Sequence, residues 1–271
     1  MKFKDNFFKN YLKLAPLPLA VERTLECEIL SLKKMEQPIL DLGCGDGIFA
    51  SILFDEKIDV GVEPNPKELE SAKSFGVYHE LIQCYGDNIP KPSGQFKTIL
   101  SNSVLEHIPK LDAVLQEAHR LLSDEGVMYV TVPTMFFEQY TVIFQLLQKL
   151  RLQGLAKQYA KFFNKFWRHY HCYDYHGWQE IMERNGFAIK DSKNYAIKHI
   201  CIFNDLCAPL SFFAFITKKI CNRWFIFKKI RIITAILLYS LFSRLFKTDI
   251  NASNTGLIFL ELVKTSKKKI A

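Results

Sequence analysis

At 271 residues the chain is long enough to bury a core without disulfides or a structural metal. Its seven cysteines, at 27, 44, 84, 172, 201, 207 and 221, are odd in number and include no Cys-x-x-Cys pair, which argues against a disulfide framework or a zinc knuckle and for a reducing, cytoplasmic setting. The formal charge of +8 is unevenly placed: residues 1–196 hold 23 basic and 25 acidic side chains, and residues 197–271 hold 13 and 3, so a nearly neutral body carries a basic end suited to a negatively charged partner, membrane or nucleic acid.

No export is expected, because the apolar run from Leu14 to Val21 is short and broken by Pro16 and Pro18. Leu19, Glu22, Leu25, Glu26, Ile29 and Leu32 then recur at helical spacing and predict a lead helix of about three turns within residues 1–37. Ile39-Leu40-Asp41-Leu42 is an apolar run of strand length. Gly43, Gly45 and Gly47 follow at every second position, and Ile48 to Leu53 returns to helical spacing, so the pattern reads strand, tight turn, helix. Glycines there leave the backbone open to a ligand and accept the positive φ of a sharp turn. The spacing is not the Gly-x-Gly-x-x-Gly of a dinucleotide fingerprint, and no Lys with Ser or Thr follows as a triphosphate loop requires. Asp41, two residues ahead, would repel a pyrophosphate and suits an ammonium group.

On Leu40-Asp41-Leu42-Gly43-Cys44-Gly45 the chain resembles the class I S-adenosylmethionine-dependent methyltransferases of the small-molecule branch, whose cofactor carries an ammonium and no phosphate. The resemblance implies an α/β fold with a doubly wound, Rossmann-like seven-stranded sheet in the order 3-2-1-4-5-7-6, the last strand antiparallel. It leaves open whether the lead helix packs over the cofactor or only closes the sheet edge. Further along, Ile58 to Asn65 ends a second strand in Glu63, 20 residues beyond Gly43, where a carboxylate can accept from both ribose hydroxyls. A helix around Pro66 to Phe75 and a strand from His79 to Tyr85 lead to Gly86-Asp87-Asn88-Ile89-Pro90. By resemblance Asp87 accepts from the adenine amino group, and Asn88 and Ile89 supply a backbone N–H and an apolar face.

A fourth strand, Phe96 to Ser101, runs into Asn102-Ser103-Val104-Leu105-Glu106-His107, which should face the methyl group or the acceptor because ligands in open α/β sheets bind beyond the strands' carboxyl ends. Related segments that read Glu-x-x-Glu-His bind a divalent metal, but Ser103 stands at the first acidic place and no metal is expected. The cofactor set is therefore Asp41, Gly43, Cys44, Gly45, Gly47, Glu63, Pro64, Asp87, Asn88, Ile89, Ser101 and Asn102. His107 is the first choice for a base or acceptor-orienting group, because histidine titrates near neutrality.

Leu111 to Leu122 predicts a helix, Asp124-Glu125-Gly126 a turn and Val127 to Pro133 the fifth strand. Residues 134–178 carry aromatics at helical spacing and predict a helical substrate cap, with His169 and His171 as further catalytic candidates. A short helix from Trp178 to Asn185, a sixth strand opening at Ala188 to Asp191 and a seventh from Gly256 to Lys264 complete a domain of residues 38–196 and 251–264, followed by a basic tail over 265–271. Between the last two strands, residues 197–250 form an apolar, basic insertion with greasy stretches at Ile200 to Thr217 and Ile232 to Phe242. The first contains Asn204, Asp205 and Pro209 and the second is short, so neither reads as a membrane span. They fit helices lying in an anionic membrane surface, or else two buried helices of an ordinary cap.

The reading is an enzyme that methylates a small-molecule or lipid-linked acceptor, more readily at oxygen, on the cytoplasmic face of a membrane and without nucleic acid. The rivals are an NAD-dependent oxidoreductase, against which the glycine spacing and Asp41 count, and a non-catalytic binding module of the same fold. No pattern in the chain speaks to an oligomeric state.

Overall fold

In the computed structural model, residues 1–243 and 253–265 are described. Arg244, Lys247 and the lysines at 267–269, which the basic-insertion and basic-tail readings include, lie outside those residues.

Alternating strands and helices build the domain in chain order. Two helices, α1 (Phe7–Leu14) and α2 (Leu17–Leu30), precede β1 (Ile39–Leu42), α3 (Ile48–Leu53), β2 (Ile58–Val62), α4 (Pro66–Phe75), β3 (Tyr78–Ile82) and β4 (Phe96–Asn102). Then come α5 (Leu111–Leu121), β5 (Leu122–Pro133), α6 (Val142–Lys149), α7 (Gln153–Trp167), α8 (Tyr175–Arg184) and β6 (Phe187–Tyr195). The insertion contributes α9 (Lys198–Cys207), α10 (Phe212–Cys221) and α11 (Lys228–Phe242) before β7 (Leu257–Lys264). The seven strands form one sheet in the order β3-β2-β1-β4-β5-β7-β6. All pairings are parallel except those of β7, which runs antiparallel to both β5 and β6. This is the expected topology.

The central strands read as unbroken apolar runs because helices cover both faces of the sheet. β1 is buried at all four positions, and β7 from Leu257 to Leu262. Leu40, Leu42, Ile99, Val130 and Trp178 pack with α5 and α8 on one side. Leu12, Leu25, Leu53, Leu100 and Phe259 pack with α1, α2 and α3 on the other, which the insertion then covers. Local signals fix the helix starts: Asn65 caps α4 by accepting from the Lys67 N–H at 3.0 Å, and Pro66 follows at the first helical position.

Three boundaries differ from the sequence expectation. β5 begins at Leu122 rather than Val127: Phe96 pairs with Leu122 and Thr98 with Val127, so Asp124 to Gly126 bulge out of a longer strand instead of preceding it. β3 ends at Ile82, short of Tyr85. β6 extends to Tyr195, because Lys190 to Asn194 lie on an edge strand whose solvent-facing polar residues carry no hydrophobic alternation. In addition α9 and α10, joined by a single 3-10 turn at Ala208–Ser211, make a 24-residue helical rod from Lys198 to Cys221 that is long and apolar enough to cross a bilayer by length and composition. Asn204, Asp205 and Pro209, the residues that argue against a span over Ile200 to Thr217, lie within this rod.

Candidate active site

β1 and β4 are neighbours whose connections leave in opposite directions, the switch point at which open α/β sheets bind ligands. A cavity of about 520 Å³ opens there. Its floor is the glycine turn after β1. The Gly43 and Cys44 N–H groups both donate to the Val62 carbonyl at 2.9 Å, which pins the turn to the tip of β2. Gly45 has φ +53°, and a Cβ built on it would meet nothing within 4 Å, so the space above this residue belongs to a ligand. Gly43, by contrast, is required by packing: a Cβ would come within 2.6 Å of Val104.

One end of the cavity is acidic. Asp41, 3% exposed, accepts from the Tyr78 hydroxyl at 2.7 Å, and burial holds its carboxyl up to about 7 despite that bond, with Glu63 adding to the rise. Asp46 and Glu68 line the same end. Glu63 stands at the tip of β2, where its Oε2 accepts from the Gly45 N–H at 3.2 Å and its Oε1 from the Asn65 N–H at 2.9 Å. Partial burial raises its pKa. A carboxylate has about four acceptor sites, so capacity for two hydroxyls remains. An end lined by carboxylates and open over Gly45 fits the cationic, phosphate-free S-adenosylmethionine and opposes a pyrophosphate.

The structure brings Asp41, Gly43, Cys44, Gly45 and Asn102 together on the cavity wall, with Gly47 closing the turn as the N-cap of α3. It places Pro64, Asp87 and Asn88 on the exposed surface, outside the wall. Ile89 points into the core beneath α5, 2% exposed, and its N–H donates to Glu117 at 2.8 Å, so neither its side chain nor its amide faces a ligand. Ser101 is fully buried under the strand tip.

The other end is aromatic. Phe137, Phe163 and Trp167 from the cap meet Phe215 from the insertion, with the Trp167 and Phe215 rings 5.7 Å apart. The lead helix resolves in favour of a cavity wall, since Leu19, Glu22 and Arg23 of α2 line it. Beneath them Glu26, wholly buried, accepts from Arg23, from Asn102 Nδ2 at 2.9 Å, from Ser103 Oγ at 3.1 Å and from the Tyr195 hydroxyl at 3.0 Å. This one carboxylate joins α2 to the tips of β4 and β6.

Of the three histidines, two reach the cavity. His107 donates through Nδ1–H to the Arg168 carbonyl, 3.2 Å away, and its ring centre is 5.1 Å from that of His169. Burial depresses both, His169 to about 4, so both are neutral at neutral pH. His171 is a correction: it lies in a separate surface depression with Asp112 and Arg184, and its two ring nitrogens are taken by the Tyr173 hydroxyl at 3.0 Å and the Ile108 carbonyl at 2.9 Å.

The structure adds residues to this site that the sequence reading does not single out, Glu106 among them although its segment is expected to face the acceptor. Glu106 lines the cavity, 3% exposed. Lys218 reaches from α10 across the acidic end and pairs with Asp46 at 2.9 Å and Glu68 at 2.7 Å, while Trp224 Nε1 donates to Asp46 at 3.3 Å and Asn222 to Ser71 Oγ at 2.7 Å. The insertion thus closes the cavity from above. The signal for this in the chain is a pair of lysines, Lys218 and Lys219, at the end of an otherwise largely apolar helix.

Sheet order, glycine turn and acidic cradle together define a class I methyltransferase fold. A model of the methyltransferase domain family matches residues 17–191, more than half of the chain, and the chain belongs to that family, whose members take S-adenosylmethionine as cofactor. An uncharacterized methyltransferase of Mycobacterium sp. (strain KMS) is 33% identical over 72 residues, 26% of this chain and 29% of that protein. Ubiquinone biosynthesis O-methyltransferase of Pelagibacter ubique (strain HTCC1062) is 26% identical over 106 residues, 38% of this chain and 44% of that protein. The chain therefore spans less than half the length of these curated relatives. Among solved structures, a methyltransferase from Thermotoga maritima described as a possible histamine N-methyltransferase superposes with a TM-score of 0.55 at 16% identity over 92% of both chains. Geranyl diphosphate methyltransferase, solved with GPP and sinefungin, does so with 0.53 at 10% identity over 92% of this chain and 83% of that one. These two share the fold.

Proposed function

We propose that the protein transfers the methyl group of S-adenosylmethionine to a hydroxyl oxygen of an apolar acceptor drawn from an anionic membrane surface, on its cytoplasmic side. The observation that carries this reading is the two-faced rod Lys198–Cys221. Its inner face, at Cys201, Asn204, Asp205, Ala208, Ser211, Phe215 and Lys218, lines the cavity at intervals of three or four residues. Its outer face holds Leu210, Phe213 and Ile220 in solvent at 80%, 77% and 76% exposure. Ile230, Ile233, Leu237 and Leu241 of α11 are also exposed, and Lys219, Arg223 and Lys229 stand beside them. An apolar surface of this extent marks an interaction site, and a basic rim selects an anionic one. The inner face is held to the domain by Lys218 and by Asp205, which accepts from the Val142 N–H at 2.7 Å; those ties favour a rod lying in the interface over one crossing the bilayer.

Asp41, Glu63 and the glycine turn would hold the cofactor, which when bound supplies an electrophilic methyl on a sulfonium. The chain's own contribution is to place the acceptor. The aromatic end takes its apolar part, His107 and His169 orient its polar head, and α10 excludes water. Alignment of this kind is worth about 7–11 kcal/mol of barrier in favourable cases. Oxygen as the acceptor atom is supported by the relative named ubiquinone biosynthesis O-methyltransferase. Flotation with phosphatidylglycerol vesicles tests the surface: the protein is expected to float with them at low salt and a Phe213→Asp, Ile220→Asp variant to stay behind, whereas an unbound wild type, or a variant that still floats, would return the search to water-soluble acceptors.

A further inference from the structure

We propose that Glu106 is the proton acceptor of the transfer, a catalytic residue beyond the histidines, its carboxylate taking the hydroxyl proton as the acceptor oxygen is methylated. The assignment rests on the reading of the cavity as the acceptor chamber. Glu106 lies on the cavity wall in the 3-10 turn Leu105–His107 that follows β4. It is nearly as buried as Glu26, but the two carboxylates are treated differently by their surroundings. Glu26 is satisfied by four neighbours. The Oε2 of Glu106 is buried and has no hydrogen-bond partner. Leaving a buried carboxyl oxygen unpaired is costly, so a residue with only a structural task would be bonded as Glu26 is.

The surroundings suit a base. Glu22, Arg23 and Glu26 face Glu106 from α2, and Cys172 faces it from the cap. Burial, with the two glutamates adding and Arg23 opposing, lifts its pKa to about 8, close to the value that serves proton abstraction near neutrality. His107 Nε2 lies 3.7 Å from Oε1 and offers the proton a way out. The step balances. The acceptor O–H bond breaks and its proton goes to the carboxylate. An oxygen lone pair forms the new O–CH3 bond, and the S–CH3 electron pair leaves with sulfur, which turns the sulfonium into a neutral thioether.

A base acts only when ionised, so turnover should rise with pH and level off above about 8. Two measurements on the full chain decide the matter. In protein carrying carboxyl-labelled glutamate, with no acceptor present, one carbon resonance is expected to titrate with a midpoint near 8 and to be missing from Glu106→Gln. With methyl-labelled S-adenosylmethionine and a long-chain alkylphenol in phosphatidylglycerol vesicles, whose own ionisation lies near that of tyrosine at about 10, Glu106→Gln is expected to lose about 10²- to 10⁴-fold in kcat. Its pH inflection should vanish, Glu106→Asp should recover part of the rate, and the cofactor affinity of both variants should stay as in wild type. A wild type in which the resonance missing from Glu106→Gln titrates no higher than about 6 would overturn the proposal even if the alkylphenol is not a substrate. So would a Glu106→Gln enzyme whose rate and pH profile match the wild type. Failure of the wild type to bind S-adenosylmethionine would instead strike the reading on which the proposal rests.

Discussion

Asp41 illustrates how one residue couples binding to pH. Burial beside the glycine turn keeps its carboxyl neutral below about 7, while an ammonium group needs it ionised. Binding below that pH must therefore expel a proton, and affinity for S-adenosylmethionine is expected to fall as pH drops through 7, by up to tenfold per unit for one proton, and to be flat above it. Calorimetry in buffers of different ionisation enthalpy should register about one proton released at pH 6 and none at pH 8.5, and Asp41→Asn should abolish the dependence. A pH-independent wild type would remove Asp41 from the ammonium site. At Gly45 the argument is steric. The residue has φ +53° and faces open space, so Gly45→Val is expected to lose about 1–2 kcal/mol of stability through backbone strain and all measurable cofactor binding through the volume of its side chain. Thermal unfolding and calorimetry separate the two effects, and tight binding by the folded variant would refute the placement.

Among the elements, α10 is held to the body by polar contacts at its end rather than by a buried apolar face. Lys218, 14% exposed, sits between Asp46 and Glu68, and Asn222 and Trp224 add bonds to α4 and the glycine turn. Lys218→Ala leaves two carboxylates facing each other without a cation, and a loss of about 1–3 kcal/mol is expected, concentrated in the insertion. Hydrogen exchange should then quicken over residues 198–221 while the amides of β1, β4 and β5 keep their protection. Equal protection in both proteins would show that apolar contacts alone hold α10 in place.

For the whole molecule, charge and apolarity are segregated to one side. Residues 1–196 carry a formal charge near zero, and among the described residues Lys219, Arg223 and Lys229 are exposed beside the apolar rows of α10 and α11. An anionic bilayer would orient the protein with its cavity mouth toward the lipid, because the rod that lines the cavity is the one that carries the exposed row. Raising salt from 0.1 to 1 M shortens the Debye length from about 10 to about 3 Å. Flotation is therefore expected to weaken with salt but not to vanish, the apolar rows holding what remains. Complete release would assign the binding to charge alone.

The glycine turn, the lead helix and the basic insertion are legible in the chain because each is set by local periodicity or by spacing along a single strand–turn–helix unit, whereas the strand order followed from the family resemblance alone. Asp41 and Glu63 are legible too, since they follow from fixed offsets to the ends of β1 and β2. The polar edge strand β6 was only half legible, since an edge facing water needs no alternation. What the tertiary structure decided are the meetings of residues far apart in sequence: Lys218 with Asp46, Tyr195 with Glu26, and Trp167 with Phe215. It also separated residues close in sequence, turning His171 outward to Ile108 and Tyr173 while His169, two positions earlier, faces His107. Sequence carries the period of each element, but the direction of a side chain in a loop, and the burial that shifts Glu106 and leaves its Oε2 unpaired, exist only once the cap and the insertion have closed over the sheet.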